Sequence, residues 1–378
     1  MTQHSPPQPV SLFDLVARPW QLDAGVRDVC FNVVGSSVVV TLTDGSLVFL
    51  QVKDAEDPET RMRTELETGR MTIRPRAKPL PVPVRTEGPL ADADIAPCRV
   101  ASQGFAFVHR DGGEVWRATA KGQTLRVARA GAAPVTALAA LPDKRGLLVA
   151  RGAHLAVVSP EDGSTLHETD LAHDILRVAV APDAGRIACW GPGRVTILDA
   201  DRLAPVAEIA AEGELCALGW SPDGRWLIGG CRDNAVLIME AETAQADRIG
   251  DFPAPVASIG FSDSAGVMIA SGAFRIVGWQ LPDRPFGEGD WVPVETAKPG
   301  FTLIETVAVH PTRHLCAVGY ANGLVMLCQI GKREEMLLRE GRGEPVTALE
   351  WSPDGDHLAI GTADGMAAIA TFPKAMFK

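Results

Sequence analysis

The sequence predicts an all-β protein, a closed ring of antiparallel sheets, and three observations carry that prediction. One stretch pattern recurs eight times along the chain. The same turn residues return at the same offsets within each recurrence. The composition, with 37 Gly and 28 Pro in 378 residues, is that of a chain with many turns.

The best-formed recurrence is Val346 to Thr371. Val346 to Trp351 alternates apolar residues with small or polar ones, and Ser352-Pro353-Asp354-Gly355 then supplies a fixed φ, a turn-bonding carboxylate and a glycine free to take positive φ. His357 to Thr362 is a second apolar run, Asp364-Gly365 is a hairpin signal, and Met366 to Thr371 is a third strand. The unit therefore reads as a meander.

Its first residue aligns with Val26, Ala93, Val135, Ile175, Leu215, Val256 and Ile304, at successive steps of 67, 42, 40, 40, 41, 48 and 42 residues. Five steps are nearly equal and two are long, so the repeat carries two insertions, 54–90 and 283–300. Seven positions after the anchor stand Pro142, Pro182, Pro222, Pro311 and Pro353; eighteen after it stand Asp44, Asp111, Asp233, Asn322 and Asp364. Candidate fourth strands follow at Thr124 to Ala128, Ser164 to Glu168, Pro205 to Ile209 and Glu335 to Leu338. The last unit lacks one, and Leu12 to Leu22 is expected to fill that place as a strand, which would remove the exposed sheet edges.

The Trp220-Ser221-Pro222-Asp223-Gly224 and Trp351-Ser352-Pro353-Asp354-Gly355 turns, each followed by an apolar run and a second turn, resemble the WD-repeat β-propeller family over about Val26 to Thr371. The resemblance implies a single propeller domain, 1–378, of four-stranded antiparallel blades. Eight blades are expected, with units near 26–92, 93–134, 135–174, 175–214, 215–255, 256–303, 304–345 and 346–371 plus 12–22. Seven is the alternative, because Val100 stands where sibling units carry proline. The family's Gly-His and Trp-Asp dipeptides are absent or replaced, as in Leu198-Asp199 and Trp279-Gln280, so packing should rest more on apolar contacts than on the family's polar network; divergent, bacterial-type repeats are expected.

Charge and chemistry narrow the function. With 36 basic against 47 acidic residues the net charge is −11, which argues against general binding to nucleic acid or anionic membranes. No basic and apolar leader and no membrane-length apolar window is present, and the seven scattered cysteines without C-x-x-C suit a reducing compartment, so a cytoplasmic location is expected. Phosphate-loop, dinucleotide and hydrolase-elbow motifs are missing. His167, Glu168 and His173 have the wrong spacing for a zinc helix, and His310 and His314 read as two surface histidines. Carboxylates such as Asp354 and Asp356 are turn residues, and the first strands show no repeating ligand type. No cofactor or metal is expected, and the reading is non-catalytic.

By the geometry the resemblance implies, the turn between second and third strands shares a face with the loops between blades. Arg110, Arg151, Arg194, Arg232 and Arg275 fall sixteen to nineteen positions after their anchors in five consecutive units, and Tyr320 follows in the next. The opposite turns carry Asp143, Asp183, Asp223, Asp263 and Asp354. This predicts an arginine rim suited to an acidic protein segment, since guanidinium binds carboxylate bidentately and stacks on aromatics. The alternative is a row of solvated turn arginines. Phe286 and Trp291, in the second insertion, are candidate anchors for a partner. The expected function is a scaffold for protein–protein interaction, with a channel-site enzyme or a small-ligand or metal binder as the alternative. Partner identity and oligomeric state are left open.

Overall fold

Turn chemistry and apolar alternation do cut the chain into meanders, and the meanders close into an eight-bladed ring. The structure is a computed structural model and describes residues 10–64, 71–86, 95–101, 104–141, 146–281 and 293–377. Seven blades are four-stranded antiparallel sheets. Among the described residues blade 6 has three strands, Ile259–Ser262, Val267–Ala270 and Val277–Gln280. Its fourth position is taken by bridges from Pro293 to Trp279 and from Thr296 to Ile276. The innermost strands, from Val26–Phe31 in blade 1 to Val346–Trp351 in blade 8, each lie beside the next, and the last returns to the first.

The turns obey the local rules that locate them. Glycine or asparagine takes positive φ at the second turn of each blade, as at Gly45 (81°), Gly152 (61°), Asn234 (63°) and Gly365 (88°). In the first turn of blade 8 the Ser352 hydroxyl donates to Asp354 and accepts from the His357 N–H, which locks the S-P-D-G corner. Eight apolar clusters fill the seams, mostly aliphatic, with Trp226, Phe31, Phe49, Phe105 and Phe107 as the largest fully buried side chains. Five of the seven cysteines, Cys30, Cys189, Cys231, Cys316 and Cys328, are buried and none forms a disulfide.

The N-terminal segment closes the ring, with one correction. Only Ala17–Gln21 is a strand, paired antiparallel with Met366–Ala370. Leu12–Val16 is a short helix instead, because Ser11 and Asp14 form a reciprocal capping box that satisfies its first N–H groups. Phe13, Val16 and Trp20 are buried by this closure.

The first insertion carries structure of its own. Asp57 caps a helical turn, Pro58–Arg61, which leads into a hairpin of Met62–Thr64 with Met71–Ile73; Val84–Thr86 then returns as the fourth strand of blade 1. Arg61, which is buried, donates to the carbonyls of Glu56, Arg74 and Leu15 at 2.9, 2.6 and 2.6 Å, so the insertion is bonded to the closing segment. Arg18, also buried, joins them by donating to the Gln51 and Val52 carbonyls and pairing with Asp54 at 3.6 Å. Among the described residues no helix is long and apolar enough to cross a membrane.

Candidate protein-binding face and the central channel

Antiparallel order fixes the faces. A chain that runs down strand 1, up strand 2, down strand 3 and up strand 4 places the second turn and the loop to the next blade at one end, and the first turn at the other. Backbone bonds tie that arrangement together: the N–H of Val135 reaches the Gly112 carbonyl at 2.7 Å, that of Ile175 reaches Gly152 at 2.7 Å, and that of Val256 reaches Cys231 at 3.1 Å. Each second turn is thus held against the first strand of the next blade.

The six residues expected on this face divide into two kinds. Arg110, Arg194, Arg232 and Arg275 are exposed. Arg194 pairs with Glu208 at 3.6 Å and Arg232 with Glu214 at 3.0 Å, while Arg110 and Arg275 have no hydrogen bond or ion pair among the described residues. Arg151 is half-buried, and its guanidinium donates to the carbonyls of Ala133 (2.9 Å), Gly113 (2.7 Å) and Arg129 (3.2 Å). Tyr320 is buried in the blade 7 core.

The division has a positional cause. Arg151 and Tyr320 stand sixteen residues after their anchors, where Leu42, Cys231 and Thr362 are also buried, each 0% exposed, because this is the last inward side chain of the second strand. The exposed arginines stand at seventeen or nineteen, Arg110, Arg232 and Arg275 in the turn itself and Arg194 at the start of the third strand. Treating sixteen to nineteen as one position merged a strand end with a turn. On the opposite face Asp183, Asp223, Asp263 and Asp354 are exposed; Asp143 lies outside the described residues, as do Phe286 and Trp291.

The channel holds a cluster that the search for a repeating ligand passed over. Cys30, Cys98, Ala139, Ala179, Gly219, Gly260, Ala308 and Glu350 occupy equivalent places in the eight first strands, each opposite the corresponding residue of strand 2. Seven are small and one is an acid. At Gly260 the small residue is forced, since a Cβ there would stand 2.7 Å from the Val309 side chain of the next blade. The informative signal was the single departure from the row.

Glu350 of blade 8 reaches two further blades. One oxygen accepts the Phe31 N–H at 2.6 Å and the other pairs with Arg99 of blade 2. The Phe31 N–H belongs to an edge strand and would otherwise lack a protein partner. Other seams use the same device, with Arg177 donating to the Leu215 carbonyl, Ser258 bridging the Val307 N–H and C=O, and Thr347 donating to Val26. Burial raises the Glu350 pKa above the ordinary carboxyl range even though Arg99 opposes it. Burial, and then the neighbouring Glu350, push Asp28 up to about 7. A cavity of about 330 Å³ opens beside Arg99 and Glu350, walled by Ile259, Val307, Val309 and Leu349, at the end of the channel marked by Pro311 and Pro353.

One histidine reading also changes, and one histidine cluster is new. His310 is buried, not at the surface, with its ring 4.8 Å from that of Trp351 and one nitrogen 3.1 Å from the Gly355 carbonyl; burial lowers its pKa. His109, Asp111 and Glu114 bring ligand atoms within 4.8 Å of one another, the distances of a metal site. Asp111 already accepts the N–H groups of Gly113 and Glu114, and Glu114 accepts from Trp116 and Arg126, so these carboxylates have structural work as a turn.

Architecture and repeat sequence together define a WD-repeat β-propeller. More particularly, residues 205–238 match the WD domain, G-beta repeat, and residues 307–376 match the anaphase-promoting complex subunit 4 WD40 domain. Among solved structures, a chain from the crystal structure of a mitotic checkpoint complex is similar at 14% identity and a TM-score of 0.55, covering 73% of this chain and 86% of that one, a likeness of fold. No curated protein matches significantly.

Proposed function

We propose that the protein is a non-catalytic scaffold whose second-turn face binds an acidic segment of another protein. WD-repeat propellers are generally protein-interaction scaffolds, and the similar solved chain belongs to a multi-protein complex. The observation that carries the reading is the row of exposed arginines, Arg110, Arg194, Arg232 and Arg275, on the second-turn face, where they alternate with the turn carboxylates Asp44, Asp111, Asp233 and Asp364, while the opposite first turns expose Asp183, Asp223, Asp263 and Asp354. Exposed ion pairs such as Arg232 with Glu214 are worth about 0–1 kcal/mol, so a partner carboxylate exchanges with Glu214 at little cost. The test is affinity capture from the source cell with the protein and with Arg110→Glu/Arg232→Glu/Arg275→Glu. Loss of a partner at unchanged melting supports the face; identical partner sets from both proteins refute it.

A second reading rests on the channel cavity, where the Arg99–Glu350 pair meets the apolar side chains of Ile259, Val307, Val309 and Leu349. That arrangement suits a small ligand. A thermal-shift screen of divalent cations and anionic metabolites, repeated on Glu350→Gln, tests it: a stabilisation seen only with Glu350 present supports a channel ligand.

A further inference from the structure

The exposed-arginine face carries one place where aromatic surface and an unpaired guanidinium coincide. It is a groove of about 420 Å³ along the seam of blades 5 and 6. Its floor is apolar: Phe252 and Trp279 are nearly buried, with ring centroids 6.0 Å apart, and Ile249 and Val277 flank them. At its edge Phe274 is 46% exposed, and Phe301, immediately after the lining residues Pro299 and Gly300, is fully exposed.

These exposed rings stand on a fixed backbone. The Gly300 N–H donates to the Phe274 carbonyl at 3.0 Å and the Ile304 N–H to the Ala273 carbonyl at 2.9 Å, which binds the turn to the loop carrying Phe301. Gly272 holds φ of 87° and approaches the Ala254 carbonyl so closely that a Cβ would stand 2.8 Å from it. Large apolar side chains held in water on ordered backbone mark interaction sites, and the ordering cost of binding is already met.

We propose that this groove docks a segment of a partner protein that inserts one large apolar side chain between Phe274 and Phe301 and sets a carboxylate on Arg275. The proposal rests on the interaction reading above and names the chemistry of the partner. Arg275 supplies the charge complementarity, being exposed and without an ion pair among the described residues. Aromatic and arginine side chains together are the residue types that dominate interface energetics. Among the described residues Asp251 is the one carboxylate lining the groove, and it restricts the partner: an acid beside an apolar anchor fits, whereas a run of acids does not.

The probe is a display library of random linear peptides selected on the full-length protein, with binding of the enriched peptides then measured by fluorescence anisotropy. Enriched peptides should pair an aromatic or branched aliphatic residue with a nearby Asp or Glu. Phe274→Ala/Phe301→Ala and Arg275→Glu should each weaken them about tenfold or more, and Arg110→Glu/Arg194→Glu less than about twofold. Peptides lost only with Arg110 and Arg194 overturn the groove and leave the face reading standing. Peptides insensitive to every variant, or no enrichment, overturn both. Concentration-dependent self-association in sedimentation, abolished by Phe274→Ala/Phe301→Ala, also overturns the proposal, since the occupant is then a second copy of this chain.

Discussion

Glu350 in the last blade pairs with Arg99 in the second, reaching past blade 1, whose Phe31 N–H it also satisfies. One carboxylate thus links three blades on the channel side of the closure. Removing one partner of such a pair leaves the other charge partly buried and a backbone donor unsatisfied. Both side chains retain some exposure, 37% for Arg99 and 25% for Glu350, which lowers the cost. Glu350→Ala is expected to destabilise by about 1–3 kcal/mol. Arg99→Ala in the same background should add less than it costs alone, a coupling read from a double-mutant cycle in urea.

Asp28 beside that pair sets a pH dependence. Its folded pKa, about 7, lies above the unfolded carboxyl value, so the folded state binds more protons between the two. Its contribution is fully present below the unfolded pKa, about 4, and is lost as pH rises to about 7. Asp28→Asn should therefore stabilise the protein at pH 8 relative to wild type, by up to about 4 kcal/mol, with the difference shrinking towards pH 4. Urea midpoints across that range measure it; a difference that does not change with pH removes the assignment.

Ring closure makes a third prediction. Deleting residues 1–22 removes strand Ala17–Gln21 and the buried Phe13, Val16 and Trp20, and exposes the edge of Met366–Thr371. Burial of three such side chains is worth about 5 kcal/mol or more, and an open edge invites pairing with another chain. The truncated protein should melt well below the intact one and aggregate on storage, as differential scanning calorimetry and light scattering would show. Trp20→Ala alone, in the full chain, should cost about 3 kcal/mol.

What the sequence made legible follows from how local each constraint is. Turn positions were readable because positive φ at Gly365 or Asn234 and the Ser352–Asp354 bond are decided within a few residues. The helix Leu12–Val16 was readable too, since Ser11 and Asp14 spell a capping box, but the need for a closing strand masked it. The fate of each arginine was not. Arg151 and Arg232 stand one offset apart, and carbonyls of neighbouring segments, absent from any local pattern, decide that one is structural and the other free to exchange partners. Glu350 was visible as the one acid in a row of Cys, Ala and Gly, once the repeats were compared for departures rather than for agreement.

Thiol chemistry offers a fourth check on the closed interior. Burial pushes Cys98, Cys189 and Cys328 up to about 12 and raises Cys30, Cys231 and Cys316 as well. Thiolate is the reacting form, so these six should resist alkylation at pH 7.5 while the protein is folded. Intact mass after brief iodoacetamide treatment should show at most one adduct, and all seven cysteines should react in guanidinium.

The last prediction separates support from recognition among the arginines of one face. Arg151 donates to three carbonyls, Gly113 in the second turn of blade 2 and Arg129 and Ala133 in the loop that leaves that blade, so its guanidinium crosses the seam between blades 2 and 3. Truncation leaves those acceptors to water alone and loses the stem packed beside Gly131, whose Cβ would stand 3.0 Å from the Arg151 side chain. Arg151→Ala should cost about 1–3 kcal/mol, and Lys should not restore it, because an ammonium lacks the fork that reaches separate carbonyls. Arg110→Ala and Arg275→Ala remove exposed side chains without such bonds and should shift stability by less than about 0.5 kcal/mol. Chemical denaturation of the three variants reads the difference, and equal losses in all three would mean that the face is built for structure throughout. A stable Arg275→Ala or Arg110→Ala variant that nevertheless fails to hold a partner would then assign those side chains to binding alone.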